Sequence, residues 1–240
     1  MVSLLLCPVA SSNEKNAPKK RLVGRCAVLF AVILGTVIVS SSASPRLAQA
    51  LNSGGLVFGP FQGSDASWEV TGCASTCSDP VVIPSVVDGK PVVGVGSSAF
   101  WFASTLAQVQ IPAAVTTIGI YAFGGSMAAL TVTTGNPTFR AVDGVLFRGN
   151  ELSLYPRGKT DTTYQVPAGT TAIGDTAFDR NNSLTSISLP ISFTSFASNP
   201  LRGVSNLESV TVEVGNPNFN TIDGVLFRGS ALVAYPKAKT

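Results

Sequence analysis

The chain contains no histidine, and only 12% of its 240 residues are charged. The first absence removes the side chain that titrates nearest neutrality and is the commonest metal ligand. Ser-His-Asp and Cys-His centres cannot be built from such a chain. The second absence is close to half the ~25% charge of an ordinary globular domain. Cysteine is scarce as well: there are four, and beyond residue 50 only Cys73 and Cys77 remain. A zinc site would need two further ligands, and no His or other Cys supplies them. No metal, cofactor or catalytic residue is expected, and the chain reads as a non-enzyme. The formal net charge of +3 does not describe a basic surface. Six of the sixteen basic residues and one of the thirteen acids lie in the first fifty positions, which leaves ten basic against twelve acidic side chains afterwards. Without a basic stripe, electrostatic binding of nucleic acid has no footing.

What is present begins with an address. Residues 15–25, KNAPKKRLVGR, are basic, and the fourteen residues 26–39, CAVLFAVILGTVIV, are almost wholly apolar. Small residues follow, up to Ala48-Gln49-Ala50. Basic, apolar, then A-x-A is the order of a secretory signal peptide. Spanning ~30 Å of hydrocarbon takes about 20 apolar residues, so the core is short for a membrane helix. Residues 1–50 are therefore expected to be a signal peptide, cleaved after Ala50 or alternatively after Ala43. The other reading is an uncleaved N-terminal anchor, the only membrane contact foreseen. Both place the remainder outside the cytoplasm, secreted or on the cell surface. In that oxidising setting Cys73 and Cys77, in CASTC, are expected to form a disulfide.

The exported part repeats itself. GNPTFRAVDGVLFRGNELSLYPRGKT from Gly135 and GNPNFNTIDGVLFRGSALVAYPKAKT from Gly215 stand 80 residues apart and share 16 of 26 positions. Asp143-Gly144 and Asp223-Gly224, between apolar runs, signal β-hairpins with type I′ turns. A shorter frame surrounds these copies: apolar-Pro, a gap, Ile-Gly, two residues, Ala-Phe, then Leu-x-x-Val/Ile-x-Val/Leu. It starts near Val82, Ile111, Val166 and Ile191. The Ala-Phe pairs at 99/100, 122/123 and 177/178 are spaced 23 and 55 apart, the second gap holding a 32-residue insertion with the hairpin. Leu184-x-x-Ile187-x-Leu189 and Leu207-x-x-Val210-x-Val212 read as short strands. The Ala-Phe pairs are expected to open short helical turns with Phe inward. Such a coil cannot bury its apolar side alone, whereas stacked coils can.

This frame, in IPAAVTTIGIYAF and VPAGTTAIGDTAF above all, resembles the BspA-type leucine-rich repeat over residues 80–240. The fourth coil departs from it at Phe196-Ala197 and Pro200-Leu201, where a reshaped turn is expected. The resemblance implies a mostly β repeat solenoid with leucine-rich-repeat-like short strands and helical turns, inserted β-hairpins and an N-terminal cap. The expected division is 1–50 signal peptide or anchor, 51–79 N-terminal cap and leading segment, and 80–240 repeat domain, truncated at its C-terminus. The resemblance further implies a secreted or surface protein that binds an extracellular protein or another cell in an adhesin-like way. The alternative is a structural spacer or stalk that presents a missing C-terminal domain. For binding, the positions between ladder residues are the candidates: Thr185, Ser186, Ser188, Glu208, Ser209 and Thr211.

Other motifs have simpler readings. Gly94-x-Gly96-x-x-Ala99 matches a dinucleotide fingerprint, but the repeat alignment absorbs it, and no helix follows. Asp143 and Asp223 are explained by turn chemistry rather than by paired-acid glycoside hydrolysis. Asp161, Asp175 and Asp179 lack the spacing of a calcium loop. Asn181-Asn182-Ser183 is a glycosylation sequon. Trp101-Phe102 beside Phe100 reads as core, with a partly exposed patch as the alternative.

Overall fold

The computed structural model describes residues 50–51, 55–74 and 77–240. The signal segment up to residue 49, with Cys26 and Ala43, lies outside the described residues. Along the chain run β1 (Ala50–Leu51), β2 (Leu56–Phe61), β3 (Ser64–Cys73), β4 (Val81–Val82), β5 (Val86–Val87), β6 (Lys90–Val95), β7 (Gln108–Ile111), β8 (Thr117–Ile118) and β9 (Ala129–Val132). The first inserted hairpin follows as β10 (Phe139–Val142) and β11 (Val145–Arg148), with β12 (Glu151–Leu154) beside it. Further coils carry β13 (Thr163–Gln165), β14 (Ala172–Ile173), β15 (Ser186–Leu189), β16 (Ser195–Phe196) and β17 (Ser209–Val212). The second hairpin is β18 (Asn220–Ile222) and β19 (Val225–Arg228), with β20 (Ala231–Ala234).

The coils form a β-solenoid. One face consists of two parallel ladders, β4-β7-β9 and β13-β15-β17. Every second strand residue points inward. Val81, Val109 and Leu130 make one buried column, and Ile187 and Val210 make its counterpart in the later coils. The opposite face is built from shorter parallel pieces, β3-β6-β8 and β12-β14-β16. At one end the β2–β3 hairpin lies against β6 and buries Leu56, Phe58, Trp68 and Val70 in the same core as the first coils. The Trp68 indole N–H donates to Val87 O at 3.0 Å, so the largest ring there keeps its polar edge satisfied.

The Ala-Phe segments are turns, and no helix occurs among the described residues. Ala99, Ala122 and Ala177 donate their N–H to Gly96, Gly119 and Gly174 O at 3.3, 3.2 and 3.3 Å. The next N–H groups are used between coils: Phe100 donates to Ala122 O at 2.7 Å and Phe178 to Pro200 O at 3.0 Å. A backbone that bonds sideways to its neighbour has no i−4 bond left with which to propagate a helix. The Phe rings do point inward, and Phe100 stacks on Phe123 with centroids 5.8 Å apart. The departing fourth coil keeps its place: Ser195–Phe196 still pairs with Ala172–Ile173, and Phe196 packs edge-on against Phe193 at 4.7 Å.

Each hairpin tip ends a ladder. Leu130 N–H donates to Gly144 O at 2.9 Å, and Val210 N–H to Gly224 O at 2.8 Å. Asp143 and Gly144 have φ of 50° and 79°, and Asp223 and Gly224 have 49° and 74°, the positive pair that a type I′ turn requires. A Cβ on Gly144 would meet that of Ala129 at 3.0 Å, and one on Gly224 that of Ser209 at 2.7 Å. The tips therefore need glycine for closeness as well as for conformation. The 80-residue unit is thus a three-strand ladder closed by a hairpin tip.

Candidate binding surfaces

The outward residues of β13-β15-β17 stand in two rows. Thr163, Ser186 and Ser209 are in register, and so are Gln165, Ser188 and Thr211. No member of either row is charged. Of the candidates read from the sequence, Ser186, Ser188, Ser209 and Thr211 come together on this sheet. Thr185 and Glu208 precede their strands at its edge. Gln165 and Thr211 are exposed, and Ser188 is half-buried. Three candidates are occupied by the fold itself. Thr185 Oγ1 donates to Thr162 O at 3.1 Å, and Ser209 Oγ to Ser186 Oγ at 3.0 Å, with the Gly224 tip against Ser209. Thr163 and Gln165 were missed because they sit at the end of the insertion. The signal was Tyr164-Gln165-Val166-Pro167, which repeats the Ile187-Ser188-Leu189-Pro190 pattern 23 residues on. The earlier ladder presents Val82, Gln108, Gln110 and Thr131, again without charge.

A second surface surrounds the aromatic cluster, and the structure divides it. Phe100 is buried, Trp101 is half-buried edge-on to Tyr121 at 5.2 Å, and Phe102 is 87% exposed. Beside it, between β8 and the hairpin element β11–β12, opens a cavity of about 320 Å³. Its walls include Trp101, Tyr121, Arg148, Arg157, Asp175 and Asp179.

The sequon asparagine is a structural clamp. Asn181 is fully buried; its Nδ2 donates to the carbonyls of Pro156, Arg157 and Lys159, and its Oδ1 accepts from the Ser183 and Leu184 N–H groups. A glycan would take one of the two Nδ2 hydrogens that serve three carbonyls and would need room beside a fully buried side chain, so the folded coil does not accommodate one and the glycosylation reading is corrected. Asn136 and Asn216, of the two GNP stretches, clamp in the same way: each Oδ1 takes the N–H groups two and three residues on, and each Nδ2 reaches back to carbonyls of the preceding coil. Buried backbone groups outside a ladder need such partners.

Asp161 and Asp175 are tied locally. Asp161 accepts from Tyr155 Oη at 3.0 Å and pairs with Lys159 at 3.0 Å, and these two bonds hold its carboxyl below the usual carboxylate range. Burial, reinforced by Asp161, pushes the Tyr155 phenol upward, and burial first of all does the same for Tyr164. Asp175 accepts the Asn199 N–H at 3.0 Å. No group of acids suited to a metal ion occurs among the described residues. Cys73 and Cys77 are joined by a disulfide, with Cα atoms 5.6 Å apart, packed against the first core.

Stacked coils with an apolar ladder inside and a strand face outside define the leucine-rich-repeat class of solenoid. Six copies of the BspA type leucine rich repeat region match residues 87–154 and 158–235, and the chain belongs to that family. Among solved structures, the chain is similar to the pneumococcal vaccine antigen PcpA, at 26% identity over 52% of this chain and 32% of that one, with a TM-score of 0.47. It is also similar to the T. pallidum leucine-rich repeat protein TpLRR, at 25% identity over 66% of this chain and 69% of that one, TM-score 0.44. A leucine rich cell surface protein from Faecalibacterium prausnitzii A2-165 matches at 21% identity over 77% of this chain and 61% of that one, TM-score 0.44. The chain thus spans about a third of the PcpA chain. No protein of curated function matches it.

Proposed function

We propose that the protein is a secreted or surface-displayed binding module, adhesin-like and non-enzymatic, that engages an extracellular protein or cell-surface partner through the β13-β15-β17 face. Residues 1–50 serve as its signal peptide or anchor, 51–79 as the cap of the first coil, and 80–240 as the repeat domain. The observation that carries the reading is the pair of uncharged hydroxyl and amide rows in strict parallel register. The backbone of such a face is already ordered by its ladder, so docking a large partner costs little backbone entropy. Membership of a repeat family supports it, because stacked repeats create extended binding surfaces.

The test substitutes the free positions Gln165, Ser188 and Thr211 together with lysine and leaves the hydrogen-bonded Thr185 and Ser209 alone. Adhesion of the exported chain to immobilised extracellular-matrix proteins and to cells should fall at least tenfold, about 1.4 kcal/mol or more, with an unchanged melting temperature. Unchanged adhesion would move the binding face elsewhere on the molecule.

A further inference from the structure

We infer that the gap between β8 and the β11–β12 element is a peptide slot, which takes an extended segment of a protein partner as an added parallel strand. The short-strand face has a fixed hydrogen-bond pattern. Wherever one coil follows another without interruption, two carbonyls, two residues apart, accept from the next coil. Val93 O accepts the Thr116 N–H at 2.9 Å, and Val95 O the Gly119 N–H at 2.8 Å. Thr171 O and Ile173 O accept the Thr194 and Ala197 N–H groups at 2.8 and 2.9 Å. Thr116 and Ile118 hold the same places in the coil before the insertion, since Thr116-Thr117-Ile118-Gly119 matches Thr171-Ala172-Ile173-Gly174. β8 pairs with β6 alone, and among the described residues neither Thr116 O nor Ile118 O accepts a hydrogen bond.

The Ile118 N–H is vacant in the same way. Along a strand the backbone groups of successive residues turn to opposite sides. Gly119 N–H faces β6, so the N–H and C=O of Ile118 face the gap. Two carbonyls flanking one N–H make the edge that a parallel strand completes. Ile118 lines the cavity of about 320 Å³ and is half-buried, whereas Ile173, covered by the next coil, is 1% exposed. That volume lies at the small end of ligand pockets, which run from ~300 to 1,000 Å³. It suits a short run of extended chain and excludes a helix about 10 Å across. At the second hairpin the chain fills part of the equivalent edge itself. Arg228 Nη2 donates at 3.1 Å to Thr194 O, the counterpart of Thr116 O. Arg148, the counterpart of Arg228, makes no such bond among the described residues and is exposed at the cavity wall.

The walls define the segment that fits. Both edges of β12 are taken, by β11 and β14, so an inserted strand hydrogen-bonds to β8 alone. Its other edge meets side chains: Arg148 offers donors, and Glu151 and Ser153 offer acceptors. Running parallel to β8, the segment leaves the gap toward Ile120 and Tyr121, where Trp101 also lines the cavity. Ile120 is 71% exposed, and Trp101 stands edge-on to Tyr121 at 5.2 Å. The ligand class is therefore an extended peptide with an apolar residue just after its hydrogen-bonded stretch. Strand addition of this kind draws affinity from the main chain and selectivity from the side chains.

The experiment titrates the isotope-labelled intact chain with a synthetic copy of residues 168–178, AGTTAIGDTAF, the segment whose Thr171 and Gly174 N–H groups donate to the coil before it. Amide NMR shifts and hydrogen exchange are the readouts. In the free chain the Ile118 amide should exchange about tenfold or more faster than that of Ile173. Peptide up to about 5 mM reaches even a millimolar site. Saturable shifts at residues 116–119 are expected, with Ile118 exchange slowed about fivefold or more. The same peptide N-methylated at the glycine that copies Gly174 loses a donor and should bind about tenfold more weakly, as should a scrambled peptide. Absence of saturable shifts at residues 116–119 overturns the inference. So does equal binding of the N-methylated or scrambled peptide. Exchange of Ile118 as slow as that of Ile173 in the free chain also overturns it, because a second copy or another part of this chain then fills the gap. The strand-face lysine variant should bind the peptide normally, so this inference and the proposed function fail separately.

Discussion

The strand Val-Leu-Phe-Arg is written twice, as β11 and as β19, and the two copies are not in the same situation. In β11 the side chains alternate between two cores: Leu146 belongs to the earlier coils, while Val145 and Phe147 belong to the later ones. The strand is a wall with apolar packing on both sides. In β19, Leu226 is fully buried beneath the preceding coils, but Phe227 is only half-buried. The following strand shows the same divergence. Leu152 and Tyr155 are buried, and β12 pairs with β14; their counterparts Leu232 and Tyr235 are 60% and 61% exposed, and β20 pairs with β19 alone. Identical residues thus contribute different amounts of stability, because burial is a property of what stands next to them. In a solenoid the stabilising term is the interface between neighbours.

The largest effect should come from breaking the wall. Phe147→Ala is expected to cost about 3–5 kcal/mol, as for a fully buried Phe, whereas Phe227→Ala should cost distinctly less. Paired denaturant titrations at equal m-value check this, and equal losses would mean that the second hairpin is covered in solution. A smaller effect tests the clamps. Asn181→Ala leaves buried backbone groups of the coil after the first hairpin unpaired, at about 1–3 kcal/mol for each group that water cannot reach. Asn216→Ala, at a half-buried clamp beside the second hairpin, should cost less in the same assay.

The smallest effect is electrostatic and belongs to the first copy. The carboxyl of Asp161 is lowered by its bonds to Lys159 and Tyr155, so its contribution is complete above the unfolded carboxylate pKa of ~3.9 and is lost as pH falls through the lower folded value. Stability measured from pH 5 down to pH 2 should fall less steeply in Asp161→Asn than in the parent. Parallel curves would mean that the pair is screened away by solvent.

Much of this arrangement was legible. Asp143-Gly144 and Asp223-Gly224 announced the hairpins, because few dipeptides accept positive φ twice in succession. The inward Phe100, Phe123 and Phe178 followed from repeat spacing. Local pattern misled where backbone bonding ran between coils: the Ala-Phe turns read as helical because their outward hydrogen bonds are invisible in one dimension. Asn181 read as a sequon because its five partners lie in segments up to 25 residues away. Asp179 stood out only as an acid without the spacing of a calcium loop, and its burial is set by neighbouring coils that its own segment does not specify.

The sequence by itself determined the coil, the ladder residues, the hairpin turns and the order in which they stack, since each rests on local conformation and on a period that repeats. Tertiary structure alone decided which face of a repeated strand is covered, which asparagines become clamps, and where the interrupted ladder leaves a cavity. Those properties depend on the distance to a neighbouring coil, and two identical segments with different neighbours carry no mark of the difference in their own residues.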